Sequence, residues 1–271
     1  MRPLVSVILS TFNNEATIGS CLASLRRQDY LNFEMIVADE YSKDRTVEIA
    51  RQYGAKVYQL RGERSVCRNF GIKNAQGEYV VVLDSDMELT PKVLEECVDL
   101  AQRGARAIAI REVSEGQGFW SQVRALERSC YPGDDTIEAA RFFEKSLITQ
   151  IGGYDPAIVG AEDWDVHQKI IKLGIKPYRT KNRIIHHEGR LTFWRLVKKK
   201  AYYGSAFNEF SKRYPRVFGK AILRTSLFKN WHILIKQPIY AMGVFVLKFC
   251  EGLALFWSMK VSSLGKTTTH Y

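Results

Sequence analysis

The chain has no CxxC pair, and its five cysteines (Cys21, Cys67, Cys97, Cys130 and Cys250) are odd in number and widely spaced. That pattern argues against a disulfide framework and a zinc cage, and it predicts a reducing compartment. A secretory signal is missing as well. MRPLVSVILSTFNNEA has too short an apolar run and no small-residue cleavage site, so it reads as the first strand of a cytosolic domain. There is no internal repeat, low-complexity tract or flexible linker. Acidic residues are nearly absent from the last third: Arg190 to Tyr271 carries 15 Lys+Arg against 2 Asp+Glu, while Met1 to Gly189 carries 25 against 27. The net charge of +11 therefore arises wholly in that last third. Such a block suits nucleic acid or an anionic membrane surface. No helix-turn-helix, RNA-binding or zinc-finger signature accompanies its basic and aromatic residues, which disfavours nucleic acid.

With 271 residues, 46% hydrophobic and 25% charged, the chain is long enough and apolar enough for one α/β domain with an appendage. Leu4–Thr11, Phe33–Asp39, Ala55–Leu60 and Glu78–Asp84 read as strands, with helical periodicity between them. Near-continuous apolar strands separated by helices predict a parallel sheet covered on both faces, a doubly wound nucleotide-binding type of fold. Gly54 and Gly77 stand where helix C-caps belong. Ligands of such sheets bind beyond the carboxyl ends of the strands, here Ser10–Asn14, Asp39–Asp44 and Asp84–Asp86. GARAIAIREV is a further strand, GFWSQVRALERSCY a helix, GDDTIEAARFFEKS mixed, and AEDWDVHQKIIKLGIK a helix capped by Gly174. YRTKNRIIHHEG follows as a short extended piece.

The run YVVVLDSDMEL carries Asp84 and Asp86 out of a buried strand with only Ser85 between them. Two unit charges 4 Å apart interact by about 4 kcal/mol at an effective dielectric of 20, so a diphosphate facing this pair would be repelled. A divalent cation reverses the sign, because carboxylate and phosphate oxygens share it, and Mg²⁺ is usually held by one or two carboxylates plus substrate phosphates. The bland alternative is a solvated acidic turn.

STFNNE, ADEYSKDRT, CRNFGI and LDSDMEL, followed by IGGYDPAIVGAEDWDVHQKIIKLGIK and IIHHEGRLTFWRLVKKKAYYG, together resemble glycosyltransferase family 2 in content and order over about Leu4 to Gly204. The resemblance implies a GT-A fold, a Rossmann-like nucleotide-binding mixed sheet with helices on both faces. Nucleotide-sugar binding falls at about 1–112, acceptor binding at 113–204, and a basic, apolar, membrane-associating helical segment at 205–271. It also implies an inverting transfer from a nucleotide-diphosphate sugar, assisted by Mn²⁺ or Mg²⁺. By this resemblance Thr11 and Glu15 line the nucleotide pocket, and Asp39 contacts the nucleobase unless it caps the following helix with Ser42 or Asp44. Glu40-Tyr41 stands where the family has Asp-Gly or Asp-Asn, which leaves the base open. Arg68 is either an arginine of the donor pocket or an exposed helix arginine.

The same resemblance implies that Asp84, with Ser85, falls near the ribose and metal, that Asp86 is the direct metal ligand, and that His186 or His187 is a further one, with His186 favoured. Asp163 is the expected catalytic base and Glu162 its orienting neighbour, the alternative being an acidic first helical turn. Gly152-Gly153 and Gly160 fit a loop that approaches a ligand closely. Trp164 stacks on an acceptor sugar or belongs to the core. His167 is an ordinary helix residue. Asp134 and Asp135 bind acceptor hydroxyls or, the favoured reading, form a turn after Pro132-Gly133.

Arg216, Lys220 and Arg224 predict a basic helical stripe. Pro238–Val261 holds 24 residues, with Lys248 and Glu251 charged in its middle and Lys260 next to its end, long enough to span a bilayer. Its longest charge-free run, Pro238 to Leu247, is 10 residues. Burying either charge at the bilayer centre costs about 2.5–3.5 kcal/mol. A helix lying in the interface or re-entering it on the cytoplasmic side is therefore expected, against a dimerisation helix or one packed on the catalytic domain. The acceptor is read as a lipid-linked or surface glycan. The rivals are a polyprenyl-phosphate glycosyltransferase, a nucleotidyltransferase (for which STFNNEA lacks the glycine-rich basic loop) and a non-catalytic nucleotide-sugar-binding protein.

Overall fold

The computed structural model describes residues 2–204 and 207–265. Of the expected 205–271 segment, residues 205–206 and 266–271 lie outside the described residues. The chain begins β1 (Val5–Thr11), α1 (Glu15–Arg26), β2 (Phe33–Asp39), α2 (Thr46–Gln52), β3 (Lys56–Gln59), α3 (Arg64–Asn74) and β4 (Tyr79–Asp84). The four strands anticipated from β-branched runs thus stand within a residue of their expected ends. Next come β5 (Met87–Leu89), α4 (Val93–Gln102), β6 (Ala107–Gln117), α5 (Phe119–Ser129), β7 (Phe142–Glu144), α6 (Lys145–Gln150), α7 (Glu162–Lys172) and β8 (Tyr178–Arg190). The last of these is a strand of 13 residues, not a short piece. Five further helices follow: α8 (Phe193–Gly204), α9 (Phe207–Arg213), α10 (Pro215–Leu223), α11 (Thr225–Lys229) and α12 (Trp231–Leu234). The chain then enters α13 (Pro238–Gly265).

The eight strands form one sheet in the order β3-β2-β1-β4-β7-β6-β8-β5. The all-parallel reading of the apolar strands holds for β1 to β4 alone. β7 pairs antiparallel with both β4 and β6, and β5 antiparallel with β8, so the sheet is mixed. Alternation along the parallel strands supplies two apolar faces. Val5, Val7 and Leu9 meet Ile18, Cys21, Leu22 and Leu25 of α1 together with α4 residues. Ile8, Ile36, Val80 and Val82 meet Ile72 of α3 and Val166 and Ile170 of α7. Each fully buried side chain of this kind is worth about 1.5–3 kcal/mol relative to exposure. The parallel register sets Thr11 against Asp39 and Ser10 against Asp84, so three polar strand ends are aligned at one edge.

Gly54 ends α2 as expected, with a left-handed backbone (φ +77°) and its N–H donating to Arg51 O. Gly77 does not cap a helix. A Cβ there would stand 2.7 Å from Leu4 O and Ser6 N, so the residue is small because its backbone lies against β1.

The chain divides into two compact units. One comprises Met1–Val113, Glu138–Pro156 and Glu162–His187, and the other Ser114–Ile137, Ala157–Ala161 and Glu188–Tyr271. This interleaving departs from the linear division at 112 and 204. In the second unit α5, α8 and α13 share one core, in which Val123, Leu126, Leu196, Val244 and Leu247 are buried together. A Cβ at Gly243 would stand 2.5 Å from Val123 Cγ2, which marks the close approach of α13 to α5. The predicted stripe of Arg216, Lys220 and Arg224 does not form. α10 stops at Leu223, and Arg224 takes a left-handed conformation (φ +49°) with its guanidinium over the Tyr131 ring.

Candidate active site

The first unit gathers its charged side chains around Arg68. The exposed-arginine alternative fails: Arg68 is fully buried on α3, with its guanidinium 4.9 Å from the centre of the Tyr154 ring. Its Nη2 donates to Asp84 Oδ1 at 2.7 Å and its Nη1 to Asp163 Oδ1 at 2.9 Å, while Glu162 Oε1 lies 3.7 Å from Nη1. Glu162 Oε1 accepts from Arg64 Nη1 at 3.1 Å. One arginine thus joins an acid at the end of β4 to an acid in the first turn of α7, two segments far apart in the chain. Burial raises the Asp84 carboxyl, but Arg68 and Arg141 overcome this and hold it far below the ordinary carboxylate range. Glu162 is raised, by burial first and by neighbouring Asp163 second.

Arg141 is the functional candidate that sequence reading missed. It is buried just ahead of β7, donates to Glu112 Oε1 at 2.5 Å, and stands 3.7 Å from Asp84 Oδ2 and 3.9 Å from Asp163 Oδ2. The signal was present in AARFF: a charge set beside two core phenylalanines needs buried partners. Tyr154 was missed too, and nothing in GGYDP marks its ring as the platform for Arg68.

At the edge of the same unit, β5 pairs with β8 in a register that sets Met87 opposite His186. His186 Nε2 lies 3.1 Å from Asp86 Oδ2. His187 points to the other side, with its Nε2 3.1 Å from Glu88 Oε1, because successive strand side chains alternate. His186 thus adjoins Asp86, and His187 adjoins Glu88. Burial raises the Asp86 carboxyl, and the hydrogen bond and charge of His186 outweigh this to lower it.

The fit to a divalent cation is partial. Asp86 Oδ1 is buried with no hydrogen-bond partner among the described residues, and an imidazole stands beside the other oxygen. Asp84 is instead turned to Arg68, and among the described residues no group of three or more His, Cys, Asp or Glu side chains is placed so that it could hold a metal ion. Asp86 and His186 are the residues suited to hold a cation. Ser85 is buried between the two acids.

The remaining expected residues fall as follows. Thr11 Oγ1 donates to Asp39 Oδ1 at 2.9 Å. Asp39 also accepts from the Ser42 N–H at 2.9 Å, the Ser42 hydroxyl at 2.5 Å and Gln59 Nε2 at 3.3 Å, so its carboxylate shapes the turn after β2. Glu15 accepts from the Arg45 N–H at 2.9 Å, and Asp44 accepts from the Glu15 and Thr46 N–H groups, each at 3.0 Å. These bonds lace the loop after β1 to the loop after β2. Tyr41, where the family has Gly or Asn, carries the left-handed backbone (φ +51°) that those residues adopt at least cost.

Gly153 is left-handed (φ +65°), and a Cβ there would stand 2.4 Å from Asn69 Oδ1, so the close approach is to α3. Trp164 is half-buried on α7. His167 is buried and accepts the Ala140 N–H at Nδ1, as an ordinary structural histidine does. In the second unit Asp134 accepts from the Thr136 N–H and hydroxyl and from the Ser226 hydroxyl, so it forms a turn, and Asp135 is half-buried beside it.

A mixed sheet with a parallel β1–β4 core, helices on both faces and acids at the strand ends defines a GT-A fold. The family model described as Glycosyl transferase family 2 matches residues 6–154, more than half of the chain, and the chain belongs to that family. Among solved structures, a mannosyltransferase of Pyrobaculum calidifontis in complex with GDP-Man and Mn²⁺ aligns at TM-score 0.63 and 18% identity. The alignment covers 95% of this chain and 88% of that one. Staphylococcus aureus TarS 1–349 in complex with UDP-GlcNAc aligns at TM-score 0.56 and 19% identity, covering 98% and 93%. A Methanococcus voltae relative is 23% identical over 237 residues, 74% of this chain and 72% of its own length. It is named as a dolichyl N-acetyl-α-D-glucosaminyl phosphate 3-β-D-2,3-diacetamido-2,3-dideoxy-β-D-glucuronosyltransferase. The chain spans only 26%, 43% and 62% of the lengths of three other curated relatives that it matches.

Proposed function

We propose that this protein is an inverting glycosyltransferase that moves a sugar from a nucleotide-diphosphate sugar to a hydroxyl of a lipid-linked or surface glycan. The observation that carries the reading is the double bridge from Arg68 to Asp84 and Asp163, which joins the donor-side and acceptor-side acids in one cluster. In this reading Asp163 takes the proton of the acceptor hydroxyl as that oxygen attacks the anomeric carbon from the face opposite the diphosphate. Arg68 engages Asp163 through Oδ1, and Glu162 and Arg141 hold the cluster in place from either side. Thr11, Glu15 and Asp39 border the nucleotide through the laced loops after β1 and β2, with Asp84 and Ser85 near the ribose. Gly153, Trp164 and Asp135 are proposed on the acceptor side.

A divalent cation, Mn²⁺ or Mg²⁺, supplies charge neutralisation to the leaving diphosphate when bound. Asp86 and His186 would hold it, with Asp84 the further expected ligand, and the Mn²⁺ complex of the Pyrobaculum neighbour supports this. The GDP-Man and UDP-GlcNAc complexes of the two neighbours support a nucleotide-sugar donor. The lipid-linked substrate in the name of the Methanococcus relative supports a lipid-linked acceptor. We place the protein at the cytoplasmic face of the cell membrane, peripheral or monotopic, on the strength of that relative and of α13, an apolar helix long enough to cross a bilayer.

The test is a panel of nucleotide sugars with Mn²⁺ or Mg²⁺, followed by donor binding, hydrolysis and transfer. One donor is expected to bind. Asp163→Asn is expected to lower transfer by about 10²–10⁴-fold while leaving donor affinity within a few fold. If no donor binds, or if transfer survives Asp163→Asn undiminished, the mechanism is wrong.

A further inference from the structure

Of the three charges in Pro238–Val261, the two that interrupt its middle, Lys248 and Glu251, do not face outward, while Lys260 lies beyond the apolar row. Lys248 Nζ lies 2.5 Å from Glu127 Oε1 and 2.5 Å from Glu251 Oε2, and Glu251 Oε1 lies 2.6 Å from Arg124 Nη2. Both charges are spent inward, on α5. The same side of α13 buries Ala241, Val244, Leu247 and Leu255. On the opposite side Ile239, Met242, Phe249, Leu253, Phe256 and Trp257 are each exposed over more than half their surface. From Ile239 to Trp257 that row runs about 27 Å along the helix without a charge pointing out of it.

The apolar surface does not end with α13. Phe228, Trp231 and Ile235, on and beside α11 and α12, are also mostly exposed. Exposed lysines stand among them at 229 and 236, and Arg216 and Lys220 are exposed on α10. An apolar surface this large, set among cations, marks an interaction site and not the scatter of single residues that any surface carries. The charge complement of this region, drawn from a segment with 15 cations against 2 anions, is anionic.

A helix that crosses a bilayer takes the helices packed on it into the hydrocarbon too, and α5 and α8 carry Arg124, Glu127, Lys198 and Lys199, which would be costly there. Here α13 is held along one side by α5 and α8. Gly243 closes on Val123, and a Cβ at Gly204 of α8 would stand 2.6 Å from Ser258 Cβ. Only the other side is free to meet hydrocarbon. We propose that α13 lies flat on an anionic lipid surface, with the Ile239–Trp257 row in the acyl boundary and Lys229 and Lys236 at the headgroups. Of the three arrangements open to such a helix, spanning, re-entering or lying in the interface, this geometry selects the last. The inference rests on the membrane-associated part of the proposed function and adds which residues make the contact and how deep they go.

Purified full-length chain is floated with vesicles of phosphatidylcholine alone, or with about one third phosphatidylglycerol. Binding to the anionic vesicles is expected. It should fall at least tenfold in Phe249→Ser/Phe256→Ser. In Lys229→Gln/Lys236→Gln it should fall about tenfold on anionic vesicles and little on neutral ones. Thermal unfolding and donor hydrolysis should stay at the parental values in both, since neither pair touches the site. Trp257 fluorescence, taken as the difference from Trp257→Phe, should be quenched more by lipids brominated near the headgroup than by lipids brominated at the chain end.

If the parent chain floats with neither vesicle, the membrane reading itself falls. If it floats but both double variants float equally well, this face is not the contact, while the membrane reading stands. Stronger quenching from the chain end overturns the flat orientation. A dimer in light scattering that Phe249→Ser/Phe256→Ser dissolves, without flotation, would give the face to a second copy and overturn the proposal.

Discussion

Each unit of the molecule buries a cluster of charges, and the two clusters differ in how completely they are satisfied. In the second unit Arg124, Glu127, Lys248 and Glu251 pair with one another, and Tyr131 donates to Glu127. None of their buried side-chain nitrogens or oxygens lacks a partner among the described residues. In the first unit Arg68 Nε, Arg141 Nη1, Glu162 Oε2 and Asp86 Oδ1 are buried without one among the described residues. Asp84 and Asp163 keep 23% and 22% of their side chains open to solvent. A closed cluster fixes architecture, here the seat of α13 on α5. A cluster with unused donors and acceptors, partly open to water, keeps capacity for further polar partners.

The sharpest way to break this contrast is to remove the centre of each cluster in turn. Arg68→Met removes the only hydrogen-bonded link between Asp84 and Asp163 found among the described residues and leaves Arg64 and Arg141 to offset the three acids, and a loss of about 3–5 kcal/mol in urea unfolding is expected. Transfer and donor affinity should fall with it in a binding titration. Glu127→Ala leaves Lys248 and Arg124 to share Glu251 alone and should cost a similar loss of about 3–5 kcal/mol in the same unfolding experiment. Its donor affinity, measured at a temperature where the variant is folded, should remain within a few fold. Equal losses of donor affinity in both variants would erase the distinction between an open and a closed cluster.

Smaller effects lie in the pH dependence, where the units should respond in opposite senses. The Glu162 carboxyl is raised in the folded state, so the folded chain binds more protons than the unfolded chain just above the ordinary glutamate range. Stability should therefore fall as pH rises from about 4.3 through the raised value, by at most about 1.4 kcal/mol per pH unit. Glu162→Gln should flatten that slope in denaturation midpoints. Lys200 is pushed down to about 7, by burial first and by Arg224 second. From about pH 7 to the ordinary lysine value near 10.4, the unfolded chain holds a proton that the folded chain has shed. Stability should rise with pH across that window, and Lys200→Met should remove the rise. A slope left intact in either variant would show that another group titrates there.

Much of the first unit was legible in the sequence because its signals are local. β1 to β4 are β-branched runs, and their ends carry Thr11, Asp39 and Asp84 to one edge through nothing more than parallel register, with Asp86 in the turn just beyond. Asp163 and Glu162 were legible as the first turn of an amphipathic helix. Arg141 was not, because its role depends on β7 pairing antiparallel beside β4, a non-local event. Gly77 was misread for a similar reason: a glycine after a helix looks the same whether it turns the chain or makes room for a strand. Arg224 left its expected stripe because α10 ends one residue earlier, and its guanidinium lies over the Tyr131 ring, a contact made by tertiary packing.

By itself the sequence determined the succession of elements, the uneven charge and the identity of the acids at the strand ends, since these follow from periodicity and composition along a single stretch of chain. Tertiary structure alone decided which way side chains turn. Strand alternation sends His186 to Asp86 and His187 to Glu88. Burial converts Arg68 from one helix residue among many into the link between two distant acids. The packing of α13 on α5 folds Lys248 and Glu251 inward, because buried charges need partners, and so leaves an uncharged face outside.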